Sequence, residues 1–377
     1  MKLLAVEYKN FKCLEDERIE LGNLTLLSGV NSSGKSTTIQ GIILLKQNIQ
    51  QLPTNLIDEL NMEYSSFYKL ITRIRLNGVY TKLGTVSKVL YKEAKKDIIN
   101  LKLITENSEI LFESNLDKIG DRTKEDNYPC TVTCKGTPEV EFLIKETFQY
   151  LSADRISPSS HYPYSNEDVE LNNIGTRGEY VAHFLNNRGK EDLNILELKH
   201  CEASNNTISE NVSKWISTIS KGLEVVSSVD TSTMQSYLNY RYEGDIFGAK
   251  EVGFGITYSL PIIVAILKSK PGDILIIENP ESHLHPAGQV QIARLCSKAA
   301  NYGVQIIIES HSDHFLNGIR VAIKEKVLSE ENTKIYFFKK DYKKSEILTL
   351  GINTDGGINQ WPQGFFDEFE NQLVKLI

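Results

Sequence analysis

Apolar and polar positions alternate in a strand-like way over the first 28 residues. The alternation runs through Leu3, Ala5 and Glu7, then Ile19 and Leu21, a Gly22-Asn23 turn, and Thr25 and Leu27. Two strands are expected here, feeding whatever begins at Gly29. From Gln47 to about Tyr150 the character changes: residues 56–76 read as helical or mixed, whereas 98–112 and 130–150 alternate as antiparallel strands do. Glu106-Asn107-Ser108-Glu109 is turn-like and splits the first of these into a hairpin, and the mixed charges of 113–127 mark a solvated loop. Near 151–158 a strand is expected to end in an exposed charged loop. Residues 178–225 turn helical again, with Tyr180, Phe184 and Leu185 on one face and Trp215, Ile216, Ile219 and Leu223 on another. Two β-branched runs, 274–277 and 304–308, suit strands covered on both faces in a mainly parallel sheet. Residues 334–338 and 346–350 read as closing strands. The aromatic turn after them, Trp361 to Phe366, fits core packing ahead of a partner-binding surface.

Composition narrows this picture only slightly. The 377 residues are 40% hydrophobic and 24% charged, ordinary values for a globular chain. A net charge of −7 argues against broad wrapping of nucleic acid, without excluding a local basic groove. No apolar run reaches the length of a membrane span, and the N-terminus meets a charge at once, so a cytoplasmic protein is expected. Five scattered cysteines fit free thiols. Cys130 and Cys134, even with His161 and His200 imagined as further ligands, lack the second tight pair that structural zinc requires.

The chemistry concentrates at Gly29-Val30-Asn31-Ser32-Ser33-Gly34-Lys35-Ser36-Thr37, which fits G-x-x-x-x-G-K-[ST] between an apolar strand and an apolar helix. Such a loop turns main-chain N–H groups inward and adds the partial positive charge of a helix N-terminus. Gly29, Asn31, Ser32, Ser33, Gly34, Lys35, Ser36 and Thr37 are therefore the expected nucleotide cradle. Lys35 would neutralise the β- and γ-phosphates of ATP, and the Ser36 hydroxyl would hold Mg²⁺. The strand 274–277 ends in Glu278-Asn279-Pro280-Glu281, where an acid can hold the same metal. The strand 304–308 ends in Glu309-Ser310-His311, placing a histidine that can reach a γ-phosphate or the attacking water. About 25 residues before Glu278, a second glycine-rich turn opens an apolar helix, with Gly253, Gly255 and Thr257 in it. It is either a plain β–α turn or a surface for the nucleotide of a partner subunit.

This order of motifs, through Asn279-Pro280-Glu281-Ser282-His283-Leu284-His285-Pro286 and Ser310-His311-Ser312-Asp313-His314-Phe315-Leu316, resembles the ABC-type ATPases of the SMC, RecF and OLD-like branch. More narrowly it is similar to bacterial AAA-family ATPases with a short C-terminal domain of unknown function. Those proteins often sit in anti-phage operons, and the ATPase subunit of the Septu system is a relative. The narrower likeness rests on the segments 80–85 and 175–180, Trp215 and the tail 355–367. The resemblance implies an α/β ABC-type P-loop ATPase head with a mainly parallel sheet, an antiparallel β subdomain and a helical insertion. It makes 29–37 the Walker A loop, 253–259 the signature, Glu278 the Walker B acid and His311 the switch histidine. Asn279 departs from the usual Asp-Glu pair, so slow hydrolysis or reliance on Glu281 as general base follows. Thr257-Tyr258 stands where relatives often show Ser-Gln. No Asp-x-Asp follows His314, so the nuclease module of OLD proteins is not expected.

The expected division is 1–47 for the Walker A lobe, 48–150 for a mixed insertion and 151–240 for a mainly helical region. Residues 241–330 make the lobe with signature, Walker B and switch histidine, and 331–377 the closing strands and short C-terminal domain. The leading function is an ATP-binding, ATP-hydrolysing switch that forms a homodimer or higher even oligomer. It would regulate a separately encoded effector, nuclease or toxin, in anti-phage defence. A DNA-repair type clamp and a nucleotide sensor with little hydrolysis are the alternatives; DNA stays open as a partner, and a membrane is not expected.

Overall fold

The computed structural model describes residues 2–50, 67–117, 119–136, 148–341 and 344–376. The chain forms two units. The first holds Met1–Gly22, Leu27–Lys145 and Tyr336–Thr349, and the second holds Asn23–Leu26, Glu146–Ile335 and Leu350–Ile377.

The first unit is built on an antiparallel sheet. Its strands are β1 (Leu3–Phe11), β2 (Leu14–Glu20), β4 (Phe67–Arg75), β5 (Ile98–Thr105), β6 (Ser108–Asn115) and β7 (Asn127–Gly136), in the order β2-β1-β5-β6-β7-β4. The expected hairpin at 106–109 is the β5–β6 turn, where Thr105 and Ser108 hydroxyls bond to each other at 3.0 Å. Two expectations change. Residues 3–20 do not feed the glycine loop: β1 and β2 pair with each other, and β1 also pairs with β5. Residues 67–75 are a strand on β7, not a helix, because Ile71, Thr72 and Ile74 bring β-branched side chains to a ladder with β7; residues 56–66 lie outside the described residues.

Strand β3 (Leu24–Gly29) runs out of the second unit into the first and leads into helix α1 (Lys35–Ile49). The helix is buried along nearly its whole length, the apolar Ile39, Ile42, Ile43, Leu44 and Leu45 and the polar Lys46, Gln47 and Asn48 alike. The Tyr8 hydroxyl of β1 donates to the Thr38 carbonyl at 2.7 Å. At the far end Asn48 both donates to the Arg75 carbonyl (3.0 Å) and accepts its N–H (2.7 Å), so the helix terminus is pinned to the end of β4. The neighbouring strands β15 (Thr333–Asp341) and β16 (Lys344–Leu350) supply most of their residues to this unit, and β15 lies beside β3.

The second unit carries the buried parallel strands. β8 (Phe148–Leu151), β13 (Ile274–Glu278) and β14 (Gln305–Glu309) lie in the order β14-β13-β8, with the first residues of β3 beyond β14. Both pairings of β13 are parallel and in register, Ile277 opposite Leu151 and Ile308, and Glu278 opposite Glu309. All three strands therefore end at one edge. A small antiparallel sheet of β9 (Tyr162–Pro163), β10 (Glu224–Asp230), β11 (Gln235–Tyr242) and β12 (Asp245–Gly248) belongs to the same unit.

The short helix α2 (Asn166–Glu170) precedes the stretch read as helical, and α3 (Val181–Arg188) and α4 (Ile208–Ile219) form only parts of it; Leu223 lies beyond α4, next to the start of β10, and Trp215 of α4 donates to the Leu198 carbonyl at 3.0 Å. Helices α5 (Phe254–Leu267), α6 (Pro286–Asn301) and α7 (Asp313–Lys324) follow, and a last helix, α8 (Glu368–Leu376), ends the chain. The aromatic turn divides: Phe365 is fully buried, whereas Trp361 is 49% exposed beneath the Arg320 guanidinium. Among the described residues no helix is long and apolar enough to cross a membrane.

Candidate functional site

The phosphate loop lies in the first unit. Gly29, Ser32 and Gly34 have φ of 144°, 59° and 113°, and positive-φ residues spaced through a short loop are how main-chain N–H groups come to face one anion. Gly29 is also required by packing: a Cβ there would sit 2.1 Å from the Phe338 carbonyl oxygen of β15, the same oxygen that accepts the Val30 N–H at 3.2 Å. Lys35 is 2% exposed and folds back over the loop, its Nζ donating to the carbonyls of Gly29 (3.1 Å) and Val30 (2.8 Å). The Ser33 hydroxyl donates to the Val30 carbonyl at 2.7 Å, and Thr37 Oγ1 accepts from the Cys13 thiol at 3.5 Å. Asn31, Ser32 and Ser36 are exposed. Curled main-chain donors, an ammonium and an exposed serine at a helix N-terminus are the donor set a magnesium-bound polyphosphate requires.

The acids lie in the second unit. Glu278 ends β13 half-buried; its Oε1 accepts from the Tyr150 hydroxyl (3.0 Å) and its Oε2 from the Ala153 N–H (3.1 Å). Burial raises its carboxyl above the ordinary range, outweighing the hydrogen bonds that lower it. Asn279 has φ 46°, a left-handed conformation that asparagine tolerates better than most residues, and its N–H donates to the Glu309 carbonyl at 2.8 Å. Glu281 is tied to the end of β14: Oε2 accepts from the Ser310 hydroxyl (2.9 Å) and Oε1 from the His311 N–H (2.8 Å). The fold thus brings Glu281 and His311 together, and the carboxylate caps the exit of a neighbouring strand, not its own turn.

The second glycine turn opens α5 as expected. A Cβ on Gly255 would meet the His283 carbonyl at 2.3 Å, so this glycine lets the helix approach the loop after β13. Gly253 has no such neighbour: the nearest atom to a Cβ there is Ile256 Cδ1 at 4.0 Å. Thr257 points inward. It is fully buried with its hydroxyl 3.2 Å from that of Tyr240 on β11, so the exposed groups of the turn are Gly253 and Phe254. Phe254 packs on the His283 ring with centroids 4.5 Å apart.

Sequence reasoning missed Arg155. The loop after β8 is not simply an exposed charged one: Arg155 is 2% exposed and donates to three main-chain carbonyls, those of Ser152 (3.0 Å), Glu278 and Asn279. A single arginine after an apolar strand carries no periodic signal, so nothing in the pattern marked it. Tyr150, which holds the Glu278 carboxylate, was legible only as part of a strand.

Fold and site together define a P-loop ATPase head of mixed α/β architecture. The chain belongs to the AAA ATPase domain family, whose model matches residues 1–212 and 145–316. A second model, for a protein family of unknown function (DUF3696), matches residues 328–376. The chain is 24% identical to the OLD nuclease of Thermus scotoductus (strain ATCC 700910 / SA-01) over 332 residues, 83% of this chain and 59% of that one. It therefore spans less than two thirds of that relative's length. In fold it is similar to an SMC head bound to the C-winged helix domain of ScpA, with a TM-score of 0.53, 14% identity and 93% and 98% of the two chains covered. It is equally similar to an Smc head with an extended coiled coil, bound to the C-terminal domain of ScpA derived from Pyrococcus furiosus, with a TM-score of 0.53, 13% identity and 99% of each chain covered. The likeness to the two SMC heads is one of fold, and the family shown is that of the AAA ATPase domain.

Proposed function

We propose that the protein is an ATP-driven switch: ATP and Mg²⁺ bind at the loop of residues 29–37, two copies associate through their signature turns, and hydrolysis releases them. The observation that carries this reading is the curled loop closed by Lys35. Ser36 and Glu278 are the metal-holding groups and, by the family resemblance, His311 the group on the γ-phosphate side; with an amide at Asn279, Glu281 is the nearest acid that can serve as general base. Phosphoryl transfer of this kind works by positioning and charge neutralisation. The effector under control would be a separately encoded nuclease or toxin in anti-phage defence, as the likeness to the Septu ATPase subunit suggests. The decisive test is Lys35→Ala, which should lose ATP binding and turnover in a protein that still folds. Wild-type ATP binding in that variant would remove the loop from consideration.

A second reading, a nucleotide sensor with little hydrolysis, is favoured by one feature. Asn279 carries no carboxylate, and both oxygens of Glu281 already accept hydrogen bonds. Glu281→Gln separates the two. For a hydrolysing switch it keeps ATP affinity and lowers turnover about a hundred- to ten-thousand-fold, the range for a lost general base. For a sensor, wild type and variant turn over ATP equally slowly.

A further inference from the structure

Among the described residues, one buried cluster joins the signature helix to the end of β13. The Arg155 guanidinium donates through Nη1 to the carbonyls of Ser152 and Glu278 and through Nη2 to that of Asn279. Its flat face lies on the Tyr258 ring of α5, 4.2 Å from the ring centre. The Tyr258 hydroxyl donates to the Ala153 carbonyl. The N–H of that same residue, Ala153, donates to Glu278 Oε2 at 3.1 Å. The circuit is closed: helix α5 holds the turn 152–155, and the turn holds both the backbone and the carboxylate of Glu278.

The arginine's hydrogen-bond acceptors are main-chain carbonyls, its Nε–H is buried with no acceptor among the described residues, and the Glu281 and Glu278 carboxylates act on it through space. Only a planar fork can reach two successive carbonyls while stacking on a ring; a lysine ammonium is a point donor that can do neither together. The two carbonyls it holds flank the left-handed Asn279, so the fork also fixes the sharp turn that aims the preceding carboxylate.

We propose that Arg155 and Tyr258 are positioning residues that set the Glu278 carboxylate for its metal and tie that setting to the attitude of the signature helix. Tilting α5 moves Tyr258, which shifts the turn 152–155 and with it both the Ala153 N–H and the guanidinium. Metal affinity would then report on whether the signature turn is engaged. The inference rests on Glu278 being the metal-holding acid.

The test uses the full chain with Arg155→Lys, Tyr258→Phe and Glu278→Gln, and titrates Mg²⁺ against binding of a fluorescent ATP analogue. Tyr258→Phe keeps the stacked ring and removes only the hydroxyl that holds Ala153, so it carries the test if Arg155→Lys does not fold. Both positioning variants should raise the Mg²⁺ concentration for half-maximal binding by about ten-fold or more, the usual penalty for losing a group that orients a metal ligand. Their nucleotide binding without metal should stay at the wild-type level. If Glu278→Gln shifts the Mg²⁺ demand and the folded positioning variants do not, the coupling is wrong and the acid assignment stands. If Glu278→Gln leaves the Mg²⁺ demand unchanged, the acid assignment fails and the inference falls with it.

Discussion

Asn279 shows how a single backbone angle reframes a sequence departure. Read from sequence, the amide is a missing general base; in the fold it is also a residue at φ 46° between two carbonyls held by Arg155. Asn279→Glu would therefore add left-handed strain as well as an acid. It should lower unfolding stability by about 1 kcal/mol, while Asn279→Gly stays near wild type, because glycine adopts this region freely and most side chains do not. Urea denaturation of the three proteins measures this, and equal stability of Asn279→Glu would show that the angle does not select the residue. Lys46, 1% exposed on α1, offers a second residue-scale test. Burial lowers its pKa to about 7, so the folded state prefers it neutral. Between the unfolded value near 10.5 and about 7 the unfolded chain binds the extra proton, so stability falls as pH drops through that window. Lys46→Met should remove this part of the slope between pH 7 and pH 10 in thermal melts, and an unchanged slope would place the linkage elsewhere.

At the scale of elements, the signature turn contains two glycines with different physical roles. Gly255 lets α5 meet the His283 carbonyl, so Gly255→Ala should destabilise the protein by about 1–3 kcal/mol, the usual range for overpacking. Gly253 borders no part of the fold so closely, and Gly253→Ala should leave stability unchanged while weakening ATP-dependent association. Sedimentation and thermal melts on the same two variants separate these effects; a large loss of stability in Gly253→Ala would assign it to the fold. The elements themselves were legible in unequal measure. β13 and β14 showed as β-branched runs because both faces are covered. Strand β4 did not, since its residues alternate too irregularly to declare a strand until β7 pairs with them.

For the whole molecule, the decisive observable is association. ATP, or an analogue that is not hydrolysed, should increase the sedimentation coefficient of the wild-type chain, and Lys35→Ala should abolish the increase. Sedimentation that ignores nucleotide in the wild-type protein would leave the dimerising switch without support. The segment matched by the second family model ends in α8, where Leu373, Val374 and Leu376 are 42%, 75% and 82% exposed. Expectation and structure differ most where a local pattern depended on distant strands, as in β1, whose alternation predicted a strand correctly but not its pairing with β5.

The sequence by itself determined whatever is encoded within a few residues: the phosphate loop between strand and helix, the apolar strands ending in acids, and the glycine turn opening α5. These follow from local rules, since a left-handed loop needs glycine and a doubly covered strand needs β-branched residues. Only the tertiary structure decided which way those groups face and what holds them. It turned Thr257 inward onto Tyr240, tied Glu281 to Ser310 and His311, and placed Arg155 against the backbone of Glu278. Each contact joins residues from 17 to 123 positions apart. Hydrogen bonds across such separations leave no period in the chain, because the partner is chosen by packing and not by spacing.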